Sequence, residues 1–371
     1  MQATAPCRLF LCGDVMTGRG IDQVLPYAGD PRLHEPWVKD ARHYVALAER
    51  ANGAIQRPLA EGDVWGEALT VLDRLRPDLR FINLETSITT SNTPWPNKGI
   101  HYRMHPDNIG VLNAAGTQCC TLANNHTLDW DLDGLRESLR VLEETGISTV
   151  GAGDNEAVAA EPAVFTLESG HRVVVLACGL GSSGIPDNWA ATEDRPGVWR
   201  LPDLSEDSVA LVSERVSAVR RSGDLVMLSI HWGGNWGYEL EAGQQSFART
   251  VIDEAGVDLV HGHSSHHPKA MEVYRGRLIL YGCGDFINDY EGIGGHEGYR
   301  GDLVLMYFPS LDTDSGELRS LQMVPLKMQR FQLREAGRED RDWLAETLDR
   351  ECRPFGARCE QGTDGHLWLR W

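Results

Sequence analysis

Hydrophobic positions along the chain fall into short unbroken runs separated by longer amphipathic stretches. Residues 8–12 (RLFLC), 80–84 (RFINL), 119–123 (CCTLA), 173–178 (VVVLAC), 225–230 (LVMLSI) and 257–260 are continuous apolar segments. Runs of this kind predict strands covered on both faces, as in a central parallel sheet. Helical spacing fills the intervals. Leu135, Leu139 and Leu142 form one stripe over 132–145, with Gly146 placed as a C-terminal cap. Val209, Val212, Val216 and Val219 do the same over 205–221, as do Phe247, Val251 and Ile252 over 244–255.

The pattern changes in the last third. Residues 271–274 and 277–281 flank Arg275-Gly276, a hairpin signal. Residues 303–308 and 318–327 flank a turn-rich segment at 312–316, and 367–371 reads as a last edge strand. The chain is therefore expected to be α/β, a single domain over 1–371. It carries a Pro-, Asp- and Trp-rich excursion at 21–66 that shapes a pocket or lid, and a β-rich and helical extension at 302–371.

Composition narrows the function classes. The 371 residues carry 42% hydrophobic and 24% charged side chains, as in an ordinary globular protein. The net charge of −19 argues against a nucleic-acid backbone or an anionic membrane as partner. The start, Met1 to Arg8, has no apolar core of a signal peptide, and no run of 18 apolar residues occurs, so a cytoplasmic location is expected. The eight cysteines include no Cys-x-x-Cys, and Cys12, Cys119, Cys178 and Cys283 sit in apolar or Gly-rich contexts, which points to buried thiols. Among the 11 tryptophans, Trp130, Trp232 and Trp236 lie beside polar motifs and are candidates to wall a pocket.

Chemistry concentrates at the ends of the predicted strands. His261, His263, His266 and His267 occupy seven residues after the last apolar run, where the strand is expected to open into a loop. Crowded imidazoles repel one another when charged and need partners when neutral, and a metal ion satisfies several at once. Gly13-Asp14, Asn83-Leu84-Glu85, Asn124-Asn125-His126 with Asp129, and His231-Trp232-Gly233 follow earlier runs. Each alone is weak: a Gly-Asp turn, a capped loop or a core histidine accounts for it. Together, at strand ends where α/β sheets collect ligands, they predict one site for a divalent ion such as Zn, Mn or Fe.

These motifs, with Glu272-Val273-Tyr274-x-Gly276 and Gly284-Asp285-Phe286, resemble those of the CapA family, named for poly-γ-glutamate capsule synthesis, over about residues 8–330. The resemblance implies the calcineurin-like metallophosphoesterase fold, a four-layer α/β/β/α sandwich with one or two metal ions at the sheet edge. It implies Asp14, Glu85, Asn125, His231, His263 and His266 as ligands and His126, held by Asp129, as acid/base. The sequence departs from the phosphoesterase pattern at Met16, at Glu85 in place of a bridging aspartate, and in Gly-His-x-x-His. One metal site is thus expected to be weak or reshaped, against simple phosphoester hydrolysis.

Three functions compete. CapA-like proteins occur as lasso-peptide epimerases, and inversion of a C-terminal α-carbon on a peptide or γ-glutamyl substrate is placed first. It needs a second acid/base, for which His296 in a Gly-rich loop is chosen over a plain exposed histidine. Arg19, Arg300, Trp232, Trp236 and Asp285 are the candidate substrate contacts. The alternatives are a metal-dependent amide hydrolase or transferase, and a non-catalytic capsule-assembly protein.

Overall fold

The computed structural model describes residues 6–371. Residues 1–5 of the N-terminal stretch read as lacking a signal-type core lie outside the described residues. Among the described residues the chain is a mixed α/β structure with an eleven-stranded sheet, a six-stranded sheet and two small ribbons.

The apolar runs form strands. In the larger sheet Cys7–Phe10, Leu79–Leu84, Cys119–Thr121 and Ser148–Val150 pair in parallel. In the smaller one Arg172–Gly179, Leu225–His231, Leu259–His263 and Arg277–Leu280 do so. Their uninterrupted hydrophobicity has a direct cause: both faces are covered. Leu9, Phe81, Val175, Met227, Leu259 and Leu305, drawn from both sheets, share one buried cluster. The alternate residues Phe10, Ile82 and Cys120 pack with Leu135 and Leu142 of the Asp131–Glu144 helix. Val174, Val226 and Val260 pack with Val212 and Val251 of the Glu206–Val219 and Gln244–Glu254 helices. Gly146, at φ +76°, closes the first of these helices as expected. Its N–H reaches the Glu143 carbonyl, and the N–H of Ile147 reaches Leu142. Arg275 and Gly276, both at positive φ, turn the hairpin between Met271–Tyr274 and Arg277–Leu280.

Two expectations need correction. The strand at 257–260 does not end before the histidines. It runs through Leu259–His263 because His261 and His263 pair across to Ser229 and His231. The turn begins only at Ser264, at φ +104°. Leu367–Arg370 is not an edge: it lies between Leu318–Gln329 and Arg358–Gln361, and the latter is the border strand. The 21–66 segment carries the Arg42–Asn52 helix, whose Val45 and Ala48 join the core with Ile21, Leu59 and Trp65. It lines a small crevice through Asp22, Asp30 and Leu33 rather than the main cleft. Within 302–371, Leu303–Leu311 pairs directly with the first strand, so this part of the chain extends the larger sheet.

Candidate metal centre

The parallel registers bring the strand-end motifs together. Asp14 pairs with Asn83 on one side and Asp285 on the other. His231 stands beside His263 in the smaller sheet. Gly13 permits the closest approach, since a Cβ there would lie 1.7 Å from the Gly284 carbonyl oxygen. Asp14, His231 and His263, all buried, present ligand atoms within 4.8 Å of one another, a group able to hold a metal ion.

Hydrogen bonds orient the two imidazoles. His261 Nε2 lies 2.8 Å from the Cys12 carbonyl and so carries its proton. Its Nδ1 can then only accept, from the Ser229 hydroxyl at 3.2 Å. Ser229 Oγ in turn accepts from His263 Nε2 at 2.8 Å, which leaves His263 Nδ1 a bare lone pair. His231 donates through Nε2 to Asn125 Oδ1 at 3.0 Å, leaving its own Nδ1 bare. The two Nδ1 atoms face each other at 2.7 Å. Facing lone pairs are repulsive, and a cation between them relieves this.

The carboxylates carry the same message. Burial and the charge of Asp285 push Asp14 up to about 7, although Asn83 donates to it at 2.7 Å. Burial and the neighbouring Asp14 push Glu85 well above the carboxylate range. Glu85 Oε2 is buried and no donor reaches it. His231 and His263 are held well below the usual imidazole range by burial first and then by neighbouring histidines. Neutral imidazoles beside carboxylates short of positive partners are the donor set a divalent ion fits.

A cleft of about 620 Å³ opens on this cluster, lined by Glu85, Asn125, His126, Ser264, His266 and Tyr290 and, further out, by residues 95–100, Pro186, Asn188 and Asn235. His126 Nδ1 lies 2.7 Å from Asp129 Oδ2, its Nε2 3.6 Å from Glu85, and the Tyr102 ring packs on it at 4.4 Å. Burial lowers His126 to about 4 against the pull of Asp129. His266 lines the same cleft with Nδ1 2.8 Å from Asp285; burial opposes its charge, but Asp285 outweighs it and raises the pKa. Met16, in the place of the first-motif histidine, is buried, and its sulfur takes the Tyr290 hydroxyl at 3.5 Å.

Of the candidate residues, Asp14, Glu85, Asn125, His126, Asp129, His231, His263, His266 and Asp285 converge here. Four do not. Arg19 lies outside the cleft lining, its guanidinium paired with Asp289 and, at 2.9 Å, with Glu35 inside the protein. Arg300 pairs with Asp302 and Asp340. Trp232 is core, its indole N–H bonded to the Tyr281 carbonyl. His296 is exposed and outside the cleft lining, with its ring stacked on Trp236 at 4.1 Å. Trp236 itself stands behind the cleft, against His266 at 5.3 Å. Lys98 escaped sequence reading. It lies in a loop with no periodic pattern, and only the turn-rich Trp95-Pro96-Asn97-Lys98-Gly99 marks the place.

A probable polyglutamine synthesis accessory protein of Mycobacterium tuberculosis is 48% identical over 360 residues, covering 97% of this chain and 94% of that one. The PGA biosynthesis protein CapA of Bacillus subtilis is 28% identical over 209 residues, covering 56% of this chain and 52% of that one. Among solved structures, "GAP50 the anchor in the inner membrane complex of Plasmodium" aligns with a TM-score of 0.31 at 11% identity, over 85% of this chain and 88% of that one, too slight to bear on the fold. The family model described as "Bacterial capsule synthesis protein PGA_cap" matches residues 8–290, and the chain belongs to that family.

Proposed function

We propose that this protein is a metal-dependent enzyme of glutamate-polymer metabolism that hydrolyses or transfers a γ-glutamyl or related peptide amide. The four-layer metallophosphoesterase sandwich is part of this proposal. The two sheets share one buried cluster and each carries helices on its other face. The observation that carries the function is that Asp14, His231 and His263 meet at the strand ends beside a cleft that also holds the His126–Asp129 pair. The M. tuberculosis relative is named for polyglutamine synthesis and the B. subtilis relative for PGA biosynthesis, which supports a glutamyl-polymer substrate.

Asp14, His231 and His263 would hold the first ion, and Glu85, Asn125 and His266 are placed to complete or extend the site. Bound there, a divalent ion polarises a carbonyl and makes water more acidic. The protein's own groups handle the rest. His126 donates through Nδ1 to Asp129, so Nε2 is the basic nitrogen. Burial keeps the ring neutral at pH 7, ready to accept a proton and return it to a leaving amine. Tyr102 fixes the ring plane. Trp95, Ile100 and Pro186 give the cleft an apolar wall.

Inversion of an α-carbon is the second reading, and one observation favours it: the cleft carries two imidazole–carboxylate pairs, His126–Asp129 and His266–Asp285. Mass spectrometry separates the reactions. Metal-replete protein is incubated with γ-glutamyl oligomers in H₂¹⁸O, and in parallel in D₂O with chiral analysis. Uptake of ¹⁸O at a new carboxylate is expected, with a loss of about 10²–10⁴-fold in His126→Ala at unchanged metal content. Deuterium at an α-carbon without cleavage would replace hydrolysis by epimerisation. Neither product with any glutamyl substrate would remove the enzyme reading.

A further inference from the structure

Among the described residues that line the cleft, Lys98 is the only lysine or arginine. Its ammonium has three hydrogens. One donates to the Ile100 carbonyl at 2.8 Å, and the charge pairs with Asp129 Oδ1 at 2.9 Å without hydrogen-bond geometry. Another faces His126 Nδ1, at 3.3 Å. That nitrogen cannot receive it. It already carries a proton, committed to Asp129 Oδ2 at the much shorter 2.7 Å, and a nitrogen with a proton in the ring plane offers no lone pair. The ammonium therefore keeps donor capacity that no protein acceptor fills. The Lys98 side chain is 16% exposed, and it is exposed to the cleft.

The rest of the lining states what the donor meets. Asn97, Asn188 and Asn235 are neutral amides, and Trp95, Pro96 and Ile100 are apolar. The only carboxylate-bearing lining residue is Glu85, on the metal side. A substrate is thus offered one ammonium beside the reacting centre, held from behind by Asp129, and neutral contacts beyond it. An interior stretch of polyglutamate would bring one carboxylate per residue to a protein of net charge −19, with nothing to pair them. A short chain end brings few, and the cleft volume of about 620 Å³ is that of a small-ligand site.

We propose that Lys98 is the carboxylate-recognition residue of the cleft and that the cleft takes the end of a γ-glutamyl chain, not its interior. The inference rests on the glutamyl reading given above and sharpens it to end-wise action.

The test is calorimetric binding to manganese-reconstituted protein. The probes are γ-glutamyl-glutamate, the same dipeptide with its α-carboxyls amidated, and long poly-γ-glutamate at equal chain concentration. Wild type is expected to prefer the acid to the amide and to bind the polymer no more tightly than the dipeptide. Lys98→Gln should lose about 10- to 100-fold on the acid, as for a lost charge-assisted hydrogen bond, and little on the amide. Lys98→Arg should recover part of the loss. The acid-to-amide ratio is read within each variant, so a general loosening of the fold does not mimic the result. An unchanged ratio in Lys98→Gln overturns the role of Lys98. A polymer that binds far more tightly per chain than the dipeptide overturns end recognition. Both outcomes leave the glutamyl reading standing, whereas wild type that binds none of the three probes fells that reading and this inference together.

Discussion

Two buried ionic clusters lie close together in this molecule and solve the same problem in opposite ways. Around Arg19, the guanidinium donates to Asp289 and Glu35, and Glu35 also accepts from the Tyr44 hydroxyl. The rings of Tyr44 and Tyr102 stack on the cation at 3.9 and 4.6 Å. Hydrogen bonds close within the protein, with one cation shared by two carboxylates. At the strand ends, Asp14 and Glu85 crowd together without such a cation, beside the His266–Asp285 pair, and two imidazole lone pairs face each other. Burial is equal, yet Arg19 is held more firmly charged than usual while Asp14 and Glu85 are driven toward neutrality. A closed cluster holds the fold together. An open one is a binding site whose missing partner is positive.

The largest expected effect comes from breaking the closed cluster. Arg19→Met leaves Asp289 and Glu35 buried without their cation, which should cost about 3–5 kcal/mol of stability. A shift of the urea midpoint measures it. A change below about 1 kcal/mol would mean that water reaches these groups and that the clusters do not differ in kind.

Next comes the cation at the open cluster. An ion at a hundredfold excess over its dissociation constant stabilises by about 2.7 kcal/mol. Chelated protein should melt several degrees lower and recover with Mn or Zn, by scanning calorimetry. Chelated protein should also respond to pH. The folded-state pKa of Asp14 is raised from 3.8 to about 7, so between those values the folded form binds more protons than the unfolded one. Its stability must therefore fall as pH rises from about 4 to 7. Metal-replete protein should lose that slope. An identical slope with and without metal would place the ion elsewhere.

Glu85→Gln separates the two roles of a carboxyl more finely. Glu85 is driven toward its protonated form, to which Gln is nearly isosteric, so the chelated protein should change by less than about 0.5 kcal/mol. Metal affinity should fall by at least about 10- to 100-fold, the range seen for loss of an outer partner. Equal losses with and without metal would make Glu85 a structural residue.

The open cluster was far more legible in the sequence than the closed one, for a physical reason. Asp14, Asn125, His231 and His263 each follow an apolar run, and strands covered on both faces deliver their ends to one edge. Local pattern is enough to place them. Arg19 was read as a substrate contact because its partner Asp289 lies 270 residues away, and no local pattern announces that pair. Trp232 and Trp236 look alike in sequence. Only the tertiary packing sends one indole to the Tyr281 carbonyl and sets the other against His266. The orienting chain His263–Ser229–His261–Cys12 depends on strand register, which hydrophobic runs do not encode, and Lys98 sits on a loop.

The smallest expected effect belongs to His296, which tests whether a residue outside both clusters takes part in the chemistry. Its ring lies flat on Trp236, exposed to solvent and absent from the cleft lining. An exposed substitution of this kind changes stability by about 0.5 kcal/mol or less. His296→Ala should keep its melting temperature and metal content and turn over substrate within a few-fold of wild type. A hydrolase or transferase with His126 at the reacting amide asks for nothing from this loop. Inversion by His126 and His296 together asks for both, because an α-proton removed on one face must be returned on the other. A drop of about 10²-fold or more in chiral inversion, with metal content intact, would mean that Gly292, Gly294 and Gly295 let this loop fold in over the substrate, and the two-base reaction would then displace hydrolysis.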